Sequence, residues 1–148
     1  MFLVAVLVLF TGGIAAAQSA TRVDRILARV SIDNLSAAYL AVASANLMDP
    51  DDPGSIALEV LGDLGFDVQS LNPDETARLA DFAYMLMLTH DLPGGIMYSL
   101  FPGPRYAYRD MRHERLIRGG GDPGEPFSGR RAMRIVGRVL AFVEDTES

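Results

Sequence analysis

The sequence predicts an all-α fold, a small bundle of about six helices built from helix-loop-helix repeats and interrupted by one Pro/Gly/aromatic loop. Three observations carry this. Apolar residues recur at i, i+3, i+4, i+7 along most of the chain, and no stretch alternates as a strand does. Capping residues and glycine or proline stops bracket those stretches. One apolar stripe also recurs: Leu35, Ala38, Tyr39, Val42 returns as Leu79, Phe82, Ala83, Leu86 and again as Ala132, Ile135, Val136, Val139. With 148 residues the chain has room for one domain.

The first twenty residues stand apart. Met1 to Ala20 carries no charge, and Phe2 to Phe10 is an unbroken apolar run. Thr11-Gly12-Gly13 then leads into the small-residue stretch Ala15 to Ala20. This is the pattern of a secretory signal peptide, with cleavage expected after Ala17 or Ala20, leaving a single helical domain over residues 21–148. No Lys or Arg precedes the apolar run, so an uncleaved anchor is the alternative. The run is at the lower limit for a bilayer span, and Gly12-Gly13 weakens it further.

The remaining elements follow in order. Val23, Ile26, Leu27 and Val30 suggest a short helix with arginines outside. Ser31-Ile32-Asp33-Asn34 caps a second helix, whose inward stripe is Leu35, Ala38, Tyr39 and Val42. After the loop Met48 to Gly54, Ser55 caps a third, with Leu58, Leu61 and Leu64 inward and Gly65 as its stop. Phe66 to Leu71 is a connector. The central helix is expected to start at Asn72, with Pro73 at its first position and Glu75 completing a capping box. Asp91-Leu92-Pro93-Gly94-Gly95 ends it. A further helix runs from Arg105 through Tyr108, Met111, Arg112, Arg115 and Leu116 to Gly119-Gly120-Gly121. Asp122 to Phe127 is a turn-rich connector. Ser128 caps the last helix, with Ala132, Ile135, Val136, Val139 and Val143 facing the core.

The repeating unit is helix, glycine stop (Gly65, Gly119), connector, capped helix. It resembles the S-layer homology module, a helix-loop-helix repeat used in sets of three to attach exported proteins to the cell envelope. Gly65-Phe66 sits where that family often has Gly-Ile or Gly-Val. Arg78-Leu79-Ala80-Asp81-Phe82 is similar to its Thr-Arg-Ala-Glu-Phe. Leu79 stands at the family's wall-polymer-binding arginine and Arg78 at its threonine. Arg131-Ala132 matches the Arg-Ala pair, but Met133 and Arg134 follow, and Leu35-Ser36 keeps neither. The resemblance spans Ser31 to Val143 as an architecture; it implies three repeats and envelope attachment, and with these departures the family's ligand residues are not carried over to this chain.

Composition excludes several chemistries. There is no cysteine, hence no disulfide, thiolate metal site or Cys nucleophile. Lysine is also absent, so all 13 positive charges are arginine, against 19 acids. Their distribution is uneven: 12 acids and 4 arginines between Thr21 and Pro104, then 9 arginines and 4 acids between Arg105 and Arg138. The plain expectation is that these regions pair within the fold; the sharper one is an anion-facing surface on the C-terminal third. A net charge of -6 on an exported chain argues against nucleic acid as a partner.

No catalytic motif appears. His90 falls in the last turn of the central helix, where a cation meets the dipole, and His113 on a charged face; neither has a metal-ligand neighbour at i+4. Asp49, Asp51 and Asp52 sit before Gly54, but Val60 stands where a calcium loop needs its bidentate Glu. The glycine triplet lacks the strand and Lys-Ser/Thr of a phosphate loop. Asp74, Glu75 and Asp81 are read as carboxylates of the central helix, two of them in its first turn. The aromatic loop holds Met97, Tyr98, Leu100, Phe101, Tyr106 and Tyr108; its two readings are a core plug and a binding platform.

The expectation is therefore a non-catalytic exported module that contacts cell-wall polymer or an envelope protein, without metal or cofactor. Its candidate contact residues are Tyr98, Phe101, Arg105, Tyr106 and Arg109, with Arg130 and Arg131 at the start of the last helix. Membrane contact is expected only through an uncleaved signal segment. The alternatives are a small hydrolase using His90 or His113 with a nearby carboxylate, and a signal-anchored accessory subunit.

Overall fold

Three stretches of extended backbone, each leading into a helix, meet at the centre of the structure. In this computed structural model residues 17–148 are described. Residues 17–27 are helical (α1), followed by α2 (Asn34–Ser44), α3 (Gly54–Asp63), α4 (Leu79–Thr89), α5 (Ile96–Leu100), α6 (Pro104–His113) and α7 (Gly129–Glu147). A single 3-10 turn, Val68–Ser70, interrupts the connector before α4. Among the described residues there is no strand, only an isolated bridge between Asp33 and Thr76. The chain is an all-α bundle, as its periodicity predicts. The apolar run Phe2 to Phe10 lies outside the described residues. No helix of the described residues is long and apolar enough to cross a membrane.

α2 packs against α3, α4 and α7, and α4 packs against α6. Nearly every side chain of α4 is buried, and Phe82, Met85 and Leu86 are sealed off completely. The recurrent stripe is the core. All four residues of its second and third copies are buried, as are Ala38, Tyr39 and Val42 of the first; Leu35 is half-buried. Phe82 stacks on Phe127 at 5.0 Å between ring centres, joining α4 to the approach to α7.

The approaches to α2, α4 and α7 are equivalent. Asp33, Arg78 and Ser128 are the three N-caps, all with extended dihedrals. The residue before each is buried: Ile32, Ala77 and Phe127. Their backbones bond to one another: Ile32 N–H to the Phe127 carbonyl (3.1 Å), Ala77 N–H to that of Ile32 (2.9 Å), and Leu79 N–H to that of Glu125 (3.1 Å). Three helix starts thus share one hydrogen-bonded junction.

That junction explains the largest departure from the sequence reading. The central helix begins at Leu79, not Asn72. Asn72 still organises a turn, accepting the Asp74 N–H on Oδ1 at 3.1 Å. Beyond it the chain runs extended, because the Glu75 carbonyl accepts from Asn34 N–H (2.9 Å) and Ala77 N–H is committed to Ile32. Tertiary hydrogen bonds override the local capping box. Asp74 and Glu75 consequently lie outside the helix, and Asp81 alone sits in its first turn.

Other boundaries shift by less. α3 starts at Gly54 with Pro53 at the cap, so Ser55 is inside the helix; Leu64 and Val30 face solvent rather than the core. Gly65 does end α3, at φ +99°, where Phe66 N–H reaches back to the Leu61 carbonyl. α6 ends at His113, well before the glycine triplet. The left-handed position there is Arg115 (φ +59°), whose turn directs Leu116 N–H to the Met111 carbonyl and buries Leu116 and Ile117.

The caps of α2 and α7 form as read. Asp33 accepts from Ser36 N–H at 2.8 Å, and Ser128 from Arg131 N–H at 3.1 Å. Burial alone would raise the Asp33 carboxyl; the Ser36 hydrogen bonds and the Arg29 guanidinium outweigh it and hold the group below its ordinary range.

Candidate polar groove and an exposed apolar tip

The connector between α3 and α4 folds across the first turns of α4 and leaves a groove of about 380 Å³ beneath it. The left-handed Gly65 turns the chain inward, so that Phe66 is buried against Tyr84, with ring centres 5.4 Å apart. Asp67, Ser70, Asn72 and Glu75 follow along one wall; Arg78, Asp81 and Tyr84 rise from α4 and its cap; Asn34 and Pro104 close the ends. Ser70 donates to Asp67 Oδ2 at 2.9 Å. Asn34 Nδ2 donates to the Asn72 carbonyl at 2.8 Å, while its Oδ1 is buried and takes no hydrogen bond from the protein.

The groove is polar but not uniformly charged. Burial raises the Asp81 carboxyl above its ordinary value, the nearby Arg78 charge opposing it without cancelling it. Burial likewise raises the Tyr84 phenol, which therefore remains an O–H donor near neutrality. Carboxylates, amides, hydroxyls and one guanidinium together suit a hydroxyl-rich ligand better than a simple ion. Among the described residues no group of three or more His, Cys, Asp or Glu is placed to hold a metal ion.

The aromatic loop divides between its two readings. Met97, Leu100 and Phe101 lie on or just after α5, which the sequence did not reveal as a helix. Tyr98 turns inward and meets Tyr84 edge-on at 6.2 Å. Burial, with Tyr84, Asp110 and Asp91 nearby, pushes its phenol up to about 12. Tyr108 is buried and donates to the Gly121 carbonyl at 2.8 Å. These two plug the core. Ile96, Met97, Leu100 and Phe101 do the opposite, with 80%, 40%, 64% and 62% of their surfaces exposed.

Apart from the inward-turned Tyr98, the expected contact residues fall on two surfaces. Tyr98, Phe101, Arg105, Tyr106 and Arg109 belong to the α5–α6 hairpin, where Arg105 lies 5.9 Å from the Tyr106 ring centre. Arg130 and Arg131 start α7 elsewhere. Arg131 is a structural clamp: it binds Glu125 at 2.6 Å and reaches the Arg118 carbonyl at 3.3 Å. Arg130 is exposed. The residues the sequence reading missed are those of the groove. Arg78 and Asp81 were visible in the Arg78-to-Phe82 stretch; Asn34 and Asp67 reach the site only through tertiary folding.

No ion pair among the described residues joins the acidic and basic regions. Among the described residues the ion pairs are Arg29–Asp33 and Arg131–Glu125, each within its own region.

His90 caps α4 rather than meeting its dipole as a cation. Burial lowers its pKa, and Nε2 lies 2.9 Å from Ser44 Oγ. Ser44 Oγ also lies 3.0 Å from the Ala41 carbonyl, and the direction of the Ser–His hydrogen bond is set by the imidazole tautomer. In the acidic turn at Asp49 to Asp52, Asp49 Oδ1 accepts from Asp51 N–H at 2.9 Å and Asp52 Oδ2 from Asp49 N–H at 3.2 Å, while Asp51 Oδ1 is buried and takes no hydrogen bond from the protein. Compared with protein-family models, curated proteins and solved structures, the chain matches none.

Proposed function

We propose that this chain is a non-catalytic, exported binding module that contacts cell-wall polymer or an envelope protein through the groove at the start of α4. One observation carries the reading: a concave site that gathers carboxylates, amides, hydroxyls and a single guanidinium from Asn34 and from the stretch between Asp67 and Tyr84. Such a mixture of donors and acceptors fits a hydroxyl-bearing polymer such as a wall saccharide. Two further features support it. Arg78 and Asp81 lie in the stretch that resembles the envelope-attachment module, and the helix starts of the three repeats converge beside them. Export rests on the apolar leader.

Co-sedimentation with isolated cell-wall sacculi tests the proposal. The parent is expected to pellet with sacculi, and Arg78→Ala/Asp81→Asn to bind at least about tenfold more weakly, a loss of about 1.4 kcal/mol, with its helical circular dichroism unchanged. Failure of the parent to bind would remove the wall polymer as ligand. Loss of binding in Arg105→Ala/Arg109→Ala alone would move the site to the α5–α6 hairpin.

A further inference from the structure

The α5 tip is built to stay exposed. Gly95 N–H donates to Asp110 Oδ2 at 2.7 Å, tying the start of α5 to α6. The Tyr98 ring lies directly over Gly94, where any Cβ would collide with it, and packs on Tyr84 behind. With Tyr98 drawn inward, the i, i+4 pairs Ile96–Leu100 and Met97–Phe101 form the outer surface. Four apolar side chains in six residues are held out by an anchored backbone. A patch of this kind marks a contact surface.

Its surroundings identify the kind of surface. Arg109, Arg112 and His113 border the cleft beside Ile96 and Met97, with Asp110 the one acid among them and already engaged by Gly95. Arg105 and Arg109 stand one turn apart on α6, and among the described residues neither forms an ion pair. Exposed apolar residues at a tip, with arginines on the adjoining helix α6, match what a lipid monolayer offers, acyl chains beneath anionic headgroups.

We infer that the α5 tip docks on an anionic phospholipid surface, with Ile96, Leu100 and Phe101 entering the acyl boundary and Arg105 and Arg109 holding headgroup phosphates. This contact is independent of the polar groove, and it is distinct from any held by the apolar leader. Together the two sites would let one small module bridge membrane and wall.

The sequence contains no tryptophan, so Phe101→Trp in the full chain gives a reporter at the tip alone, unaffected by lipid contacts of Phe2 to Phe10. Its emission is expected to shift to the blue on addition of vesicles containing phosphatidylglycerol, and much less with phosphatidylcholine alone. Arginine near an anionic surface contributes about fivefold per residue, so adding Arg105→Gln/Arg109→Gln should weaken the titration about thirtyfold. No shift with anionic vesicles would overturn the proposal and leave the tip to a protein partner. An equal shift with both lipids, or one unaffected by the arginine substitutions, would overturn it too.

Discussion

His90 shows how a residue's role is decided by its surroundings. On the sequence it is a cation at a helix end; in the fold it is a partly buried neutral imidazole hydrogen-bonded to Ser44. Because burial lowers its pKa below the ordinary 6.5, the unfolded chain binds more protons than the folded one between those two values. Its contribution to stability is therefore complete above about pH 6.5 and is lost as pH falls toward the folded-state pKa. Urea midpoints measured at pH 7 and pH 5 should show the parent less stable at pH 5. His90→Gln, which keeps a polar side chain beside Ser44 but does not titrate, should lose much of that difference; an unchanged difference would mean that other groups cause it.

At the scale of elements, the seating of α1 on α7 depends on one missing side chain. Gly129 occupies the first turn of α7, its N–H donates to the Arg29 carbonyl at 3.1 Å, and a Cβ there would strike the backbone carbonyl of Ile26. Alanine ordinarily favours a helix over glycine by about 1 kcal/mol. Here backbone, not a yielding side chain, is in the way, so the sign reverses. Gly129→Ala is expected to destabilise the protein by about 2 kcal/mol through overpacking, read as a lower thermal midpoint. A midpoint at or above the parent's would show that α1 does not hold that seat.

For the whole molecule, the three-way junction and the core beneath it make a single cooperative unit. Phe82, fully buried, is stacked on Phe127, and so couples the second repeat to the third. Phe82→Ala should cost about 3–5 kcal/mol, the usual range for emptying such a site. The loss should appear in one transition at both far-ultraviolet and aromatic signals. Two separated transitions would mean that the repeats unfold independently. The same architecture sets the two candidate sites apart: the groove lies where a connector crosses α4, the tip where α5 is held away from the core.

What the sequence alone determined was the helical class, the stripes that became the core, the Ser128 cap and the Gly65 stop, with the α2 cap placed only within Ser31 to Asn34. These are local matters, since a 3.6-residue period and a capping side chain act within a few residues of themselves. Tertiary structure decided the rest. Asn72 and Glu75 carry a sound capping signal, yet the helix waits until Leu79 because Ile32 and Asn34 claim the intervening backbone. The groove was legible only through Arg78 and Asp81, its other walls arriving from residues 34, 66–76, 84 and 104. The aromatic loop announced its composition but not its division. Which of its rings would face inward depended on Gly94, Tyr84 and Asp110, whose contacts with α5 exist only once the chain has closed upon itself.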